Sequence, residues 1–442
     1  MNAFATINTK LRPDWTMTIS QDKDLQGFAD VIGRFRAGLA GLEPGDKLVV
    51  AMSGGVDSSL VAALAHRLGF HVIAITLQLY DHGEARGRPG SCCAGRDSAD
   101  ARSVAQQFGF AHYVLDFEER FQRTVIDAFT ERYAKGETPV PCAQCNQHVK
   151  FDDLLTHARK LGGKALLTGH YVQRWHHDCL GHDQPGPGGA AQLGAAIDDV
   201  RDQSWFLFST PRRALEFLRF PLGQLHKHET RDLAAALGLC VAHKPDSQDI
   251  CFVPDGDYAG MIRKLRPQAA EPGEICDLAG QVLGRHPGII HYTIGQRRGL
   301  GIGGLTGAHD TKPCYVVAID AETRRVTVGP REALGVSGVC LRDVNWLGAS
   351  SWQVGKTLPL TVKFRSTMQP VQARLDCQKD GRAEVHFEAL HYGVSPGQPC
   401  VFYDGTRMLG GGWIEATSKP GLPAGTLHHP RKDQPAVIRS CD

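Results

Sequence analysis

The segment Ser53-Gly54-Gly55-Val56-Asp57-Ser58 gathers residue types that suit an anion. Adjacent glycines let the backbone come close to a diphosphate, and serine hydroxyls can donate to it. An apolar run over 48–52 precedes the segment and an apolar-periodic stretch over 58–68 follows it. Strand, glycine-rich turn and helix in that order form an anion cradle, with unpaired amides and a favourable dipole at the helix start. The lysine of the P-loop signature, which reaches the terminal phosphates in phosphoryl transfer, is missing, so the chemistry should differ accordingly.

Two cysteine segments add a second kind of chemistry. One is Thr138-Pro139-Val140-Pro141-Cys142-Ala143-Gln144-Cys145-Asn146 and the other is Asp246-Ser247-Gln248-Asp249-Ile250-Cys251-Phe252. Cysteine attacks as the thiolate, which a helix N-terminus or a cation favours, and Cys145 is placed where the helix expected over 150–161 should help. A persulfide on one cysteine delivers sulfur, and a second thiol attacks it or resolves the resulting disulfide. The Cys142-x-x-Cys145 spacing, with Cys92 and Cys93 elsewhere, also suits zinc or an iron-sulfur cluster. Cys92, Cys93 and Cys142 can equally be small buried residues. His176 and His177 look metal-like but read as solvated loop histidines.

The elements that must carry these residues alternate. Strands over 48–52, 71–79 and 111–115 are separated by helices over 58–68 and 97–108, which predicts an α/β, doubly wound parallel sheet. A charged helix over 118–135, the helix over 150–161 and a strand over 165–168 continue this domain. Glycine and proline over 183–194 predict a hairpin. Beyond residue 284, short apolar runs over 314–320, 325–328, 358–364, 383–387 and 400–403 alternate with turns and predict an antiparallel β-barrel. The expected organisation is an extension over 1–45 with a helix at 25–39, a nucleotide-binding domain over 46–245, a small central domain over 246–309, a barrel over 310–416 and a disordered tail over 417–442.

Composition bounds the setting. At 442 residues the chain should hold about two or three domains. Hydrophobic residues at 42 % and charged residues at 22 % are globular values, and no apolar run reaches the roughly 20 residues of a membrane span. Residues 1–22 lack the apolar block of a secretory signal. Thirteen cysteines, an odd number without a small disulfide framework, fit a reducing cytoplasm. A net charge of +2 means that any RNA-binding face must be a local patch.

Taken in order, the glycine-serine loop, Cys92-Cys93, the loop ending in Cys145-Asn146, Gly169-His170, Asp202-Gln203-Ser204, the 246–252 segment and His291-Tyr292-Thr293-Ile294-Gly295-Gln296-Arg297 resemble the tRNA-uridine 2-sulfurtransferases (2-thiouridylases). These are PP-loop ATP pyrophosphatases, and the likeness runs roughly from 48 to 414. The resemblance implies a PP-loop domain that binds ATP through Ala51, Met52, Ser53, Gly54, Gly55, Val56, Asp57, Ser58, Leu77 and Gly169, with Asp57 helping to hold Mg2+. It implies Cys145 as nucleophile, Cys251 as persulfide carrier and a transient disulfide between them. His170 and Gln398 match tRNA-contacting positions, and Arg201, Asp202, Gln203 and Arg365 are further candidates. The implied partners are tRNA, a cysteine desulfurase or sulfur-relay protein, and a cellular reductant, with no membrane. Where many members carry Asn-Pro-Asp ahead of the nucleophile, this chain has Val140-Pro141-Cys142, which removes the acid beside the target base. Readings left beside this one are an iron-sulfur-dependent thiolase, an RNA-binding module with structural nucleotide, and an amidating ligase.

Overall fold

The computed structural model describes residues 25, 27–80, 93–177, 183–184, 190–246, 250–253, 256–302, 313–348 and 351–419. Cys92, the 247–249 stretch and the tail from 420 lie outside them. The chain forms two compact units. The first comprises Met1–Glu118, Asp152–Ser204 and Arg212–Asp246, and the second Glu119–Phe151, Trp205–Pro211 and Ser247–Asp442. Segments 119–151 and 205–211, expected within the nucleotide domain, therefore group with the second unit.

In the first unit, β1 (Lys47–Ala51), β2 (His71–Gln78), β3 (Ala111–Asp116), β4 (Ala165–Thr168) and β8 (Leu218–Arg219) make a parallel sheet in the order β3-β2-β1-β4-β8. The expected α/β sheet is present. β5 (Gln173–His177) pairs antiparallel with β6 (Asp183–Gln184) and β7 (Ala191–Gly194), the expected hairpin. Leu48, Val49 and Val50 of β1 and all of β4 are buried, as strands covered on both faces must be. The order reverses between β1 and β4, and at such a point the carboxyl ends of the strands open a crevice. The helix Val56–Arg67 leaves β1 there and is buried from Val56 through Ala65 except at Asp57.

The N-terminal helix is part of this unit and not an appendage. Within Ala29–Ala37, Ile32 and Phe35 are fully buried, and Leu39 and Leu42 join them in the same core cluster as Leu60 and Leu64. Each such side chain contributes roughly 1.5–3 kcal/mol. Arg34 of this helix also donates to both carboxylate oxygens of Glu229 and to the Gln224 carbonyl.

In the second unit, a helix runs through Gln122–Ile126 in π register into Asp127–Ala134. A four-stranded sheet follows, made of β9 (Gly273–Cys276), β10 (Val282–His286), β11 (Tyr315–Asp320) and β12 (Arg325–Gly329) in the order β10-β9-β12-β11. β13 (Val336–Trp346), β14 (Thr357–Lys363), β15 (Val371–Cys377), β16 (Ala383–His391), β17 (Pro399–Asp404) and β18 (Arg407–Ser418) run β13-β16-β15-β14-β17-β18, and β13 pairing with β18 closes the barrel. The expected barrel is present, with Leu341, Val362, Leu375, Val385, Phe402 and Ile414 among its core. β11 and β12 were expected in it but belong to the central sheet, because alternation fixes which face of a strand is apolar and not which strand it pairs with.

Candidate functional site

The phosphate loop sits where the sheet topology places it. Met52 N–H donates to the Ile75 carbonyl at 2.8 Å and Thr76 Oγ1 to the Met52 carbonyl at 2.9 Å, which ties the end of β1 to that of β2. Ser53 N–H donates to Ser58 Oγ at 3.0 Å, and the two hydroxyl oxygens lie 3.2 Å apart. Gly54 has φ +75°, and a Cβ there would fall 2.2 Å from the Asp97 carbonyl oxygen, so only glycine fits. A Cβ on Gly169, just past β4, would come within 2.8 Å of Ser58 N. Loop, Leu77 at the end of β2 and Gly169, the residues that the family resemblance assigns to ATP, thus lie at the carboxyl ends of three adjacent strands.

Charged residues from later segments brace this loop. Asp57 accepts from Lys227 Nζ at 2.7 and 2.8 Å and from the Tyr171 hydroxyl at 2.9 Å. Lys227 Nζ also lies 2.8 Å from Asp246, which Arg231 and Arg201 approach at 2.9 and 3.0 Å. Burial alone would raise the Asp246 carboxyl, but Lys227, then Arg201 and Arg231, hold it below the usual carboxylate range. On the other side Lys244 Nζ donates to the Gly54 carbonyl at 3.0 Å and to Asp97 and Asp100 at 2.7 and 2.5 Å. Burial works to lower the Lys244 ammonium, yet its bonds to Asp100 and Asp97 raise it overall. A carboxylate offers about four acceptor positions. Among the described residues three on Asp57 are taken, which leaves on its Oδ2 a position that fits a cation.

Sequence reasoning missed Lys227, Tyr171, Lys244, Asp97 and Asp100. None lies in a local pattern, and only the fold brings them to the loop.

The other candidates in this unit are held in different ways. His170 Nδ1 lies 2.7 Å from Thr168 Oγ1. Gln203 Oε1 accepts from Tyr171 N–H at 2.9 Å, and Asp202 accepts from Ser204 N–H and Oγ at 3.0 and 2.9 Å. Arg201, Asp202 and Gln203 thus fix backbone and carboxylates beside His170 and the loop.

In the second unit the cysteine loop is tethered before it becomes helical. Thr138 N–H donates to the Pro396 carbonyl and Thr138 Oγ1 lies beside Ser395 Oγ, both at 2.9 Å. Gln398, in the same turn, has a buried Oε1 without a partner among the described residues. Arg365 donates to the carbonyls of Tyr392 and Gly393. Arg297 and Arg298 are exposed.

The helix expected to begin at 150 begins instead at Pro141 and continues from Cys145 in π register to Leu154. Proline at the first helical position explains the earlier start. Cys145 is therefore inside the helix, φ −60° and ψ −44°, and gains nothing from an N-terminus. Burial pushes its thiol up, with Lys150 acting against the shift and Cys142 adding to it. The Cys142 residue is exposed overall, but crowding around its sulfur also raises the thiol, again opposed by Lys150. Lys150 Nζ donates to Asn146 Oδ1 at 3.0 Å, and Asn146 Nδ2 donates to the Phe206 carbonyl at 3.3 Å. A π turn has more than four residues, which brings position 150 round beside 145. Cys251 is exposed, and Phe252 next to it packs edge-on against Phe121 and Phe129 at 5.6 Å. No group of three or more His, Cys, Asp or Glu side chains suited to a metal occurs among the described residues.

Comparisons with known proteins agree with this arrangement. The chain matches the tRNA methyl transferase HUP domain over residues 46–255, the tRNA methyl transferase PRC-barrel domain over 261–330 and the aminomethyltransferase β-barrel domain over 336–414. It is similar to the tRNA-specific 2-thiouridylase MnmA of Rhizorhabdus wittichii, 56 % identical over 87 % of this chain and 94 % of that one. The protein of that name from Rhodospirillum centenum is 55 % identical over 85 % of this chain and 93 % of its own. Sheet, loop, barrel and relatives lead to one conclusion: the chain belongs to the tRNA-specific 2-thiouridylase (MnmA) family.

Proposed function

We propose that the chain thiolates a tRNA uridine, conventionally at the wobble position, by ATP-dependent adenylation of the 2-carbonyl followed by sulfur transfer from a persulfide on Cys251. Thiolation of tRNA follows from membership of the family. The observation that supports the adenylating stage is the phosphate loop, an open helix start bordered by Asp57, with no lysine inside the loop. The uridine O2 attacks the α-phosphorus, an O–P bond forms, and pyrophosphate leaves toward the loop amides and the Ser53 and Ser58 hydroxyls. Magnesium entering with ATP would neutralise phosphate charge, and the remaining acceptor position on Asp57 is the ligand this chain offers.

In the second stage the terminal sulfur of the Cys251 persulfide adds to C2, and AMP departs with the electrons of the C2–O bond. The Cys145 thiolate attacks Cys251 Sγ, the persulfide S–S bond breaks, and its sulfur stays on the base. The resulting Cys145–Cys251 disulfide is reopened by two electrons from a cellular thiol reductant. A cysteine desulfurase or sulfur-relay protein reloads Cys251, in the reducing cytoplasm. Arg297 and Arg298 meet tRNA phosphates, and His170 and the Arg201 region in the first unit and Gln398 in the second are the further tRNA contacts that the family resemblance implies, with the target base everted for reaction.

Nucleoside mass spectrometry of tRNA incubated with enzyme, ATP and a sulfur source tests this reading. The expected result is 2-thiouridine accompanied by equal amounts of AMP and pyrophosphate. Formation of ADP and phosphate in their place overturns it.

A further inference from the structure

A leaving pyrophosphate carries several negative charges, yet the only donors within the Ser53 to Ser58 loop are amides and hydroxyls, and its one charged side chain, Asp57, is an anion. The fold delivers two ammonium groups to its flanks, and they are committed differently. Lys244 is occupied by the Gly54 carbonyl, Asp97 and Asp100, and braces the loop backbone. Lys227 belongs to a cluster in which three cations, Lys227, Arg231 and Arg201, meet two carboxylates, Asp57 and Asp246.

A buried ammonium is costly unless an anion faces it. Lys227 is only 11 % exposed and lies 5.6 Å over the ring of Tyr171. Its position is fixed by local sequence: His226 caps the helix Lys227–Ala236, Glu229 closes a capping box, and the Lys227 backbone N–H donates to Asp198 at 2.9 Å. Of its two carboxylate partners, Asp246 keeps two arginines without it. Asp57, in the first turn after the loop, has Lys227 and the neutral Tyr171 hydroxyl.

We propose that Lys227 is the cation that the loop lacks, a catalytic residue that turns from Asp57 to the departing pyrophosphate. The inference rests on the adenylating reading above. When Asp57 gives its charge to a cation arriving with ATP, Lys227 loses its counter-charge and the pyrophosphate restores it. Asp246 stays neutralised by Arg231 and Arg201, so the exchange leaves no carboxylate unpaired.

Calorimetric titration with inorganic pyrophosphate, and separately with AMP, tests this on wild type, Lys227→Met and Lys227→Arg. Lys227→Met should weaken pyrophosphate binding by about tenfold or more, the scale of one charge-assisted contact, while AMP binding stays as in wild type. Lys227→Arg should recover part of the loss. A pair that removes both charges, Asp57→Asn compared with Asp57→Asn/Lys227→Met, guards against misfolding of the single variant, and the same drop is expected there. Pyrophosphate affinity that survives in folded Lys227→Met, or equal loss of pyrophosphate and AMP, overturns the role of Lys227 alone. Absence of pyrophosphate binding by wild type overturns the adenylating reading and this inference with it.

Discussion

The phosphate loop and the Cys145 segment meet opposite electrostatic demands. Around the loop, ammonium, guanidinium and carboxylate groups stand 2.5 to 3.0 Å from one another before any substrate arrives. Around Cys145 the side chain is buried, the thiol is held in its protonated form, and Lys150 acts alone against that burial. A phosphate brings its own charge, so permanent counter-charges cost nothing in specificity and gain in preorganisation. A thiolate standing open to oxidants would be lost to sulfenic acid and beyond. The contrast teaches that the charges around the loop are set before any ligand binds, whereas at Cys145 burial and the Lys150 ammonium pull the thiol in opposite directions.

The sharpest way to break the comparison is to remove the thiols. Cys251→Ser and Cys145→Ser should each abolish 2-thiouridine while tRNA-dependent pyrophosphate release continues. Peptide mass spectrometry with labelled sulfur should find label on Cys251 in Cys145→Ser and no transferable label in Cys251→Ser. Thiolation by either variant ends the division of labour. Next in size, Asp57→Ala should cost adenylation about 3 to 4 kcal/mol, several hundredfold in pyrophosphate release, with its melting transition retained. Wild-type release from that folded variant would remove Asp57 from the reaction.

A smaller effect is expected at Lys150. Because the Cys145 thiol is raised, its alkylation rate should climb with pH through a midpoint above that of an ordinary cysteine. Lys150→Met should move that midpoint further up, by about one unit, and Lys150→Arg should leave it in place. A midpoint that ignores Lys150 would show that burial alone sets the thiol. The smallest change concerns RNA binding: Arg297→Ala and Arg298→Ala should each lower the slope of log affinity against log salt by about 1. Parallel lines for variant and wild type would take these arginines out of the tRNA contact.

The loop was legible because its signal is local, two glycines and two serines between a strand and a helix. Lys227 and Lys244 were not, since each reaches the loop from about 170 to 190 positions away and resembles any surface lysine in its own neighbourhood. The helix Ala29–Ala37 is legible as amphipathic, but nothing local shows that Ile32 and Phe35 share a core with Leu60 and Leu64, so the sequence alone predicts only an extension there. At Cys145 the helix was placed one segment late, because proline in Val140-Pro141 reads equally as a break or as the first helical residue. The π register that brings Lys150 round leaves no mark in a pattern built on 3.6 residues per turn.

The interleaving of the two units has a consequence for how the enzyme is born. The first unit needs everything to Asp246, and the second takes Glu119–Phe151 from inside it and then waits for strands that end at Ser418. On a ribosome moving at about 5 to 20 residues per second, the stretch carrying Cys142 and Cys145 emerges tens of seconds before the barrel turn that tethers Thr138 exists. Nascent chains therefore display an unanchored pair of thiols for that interval, before the finished fold buries Cys145.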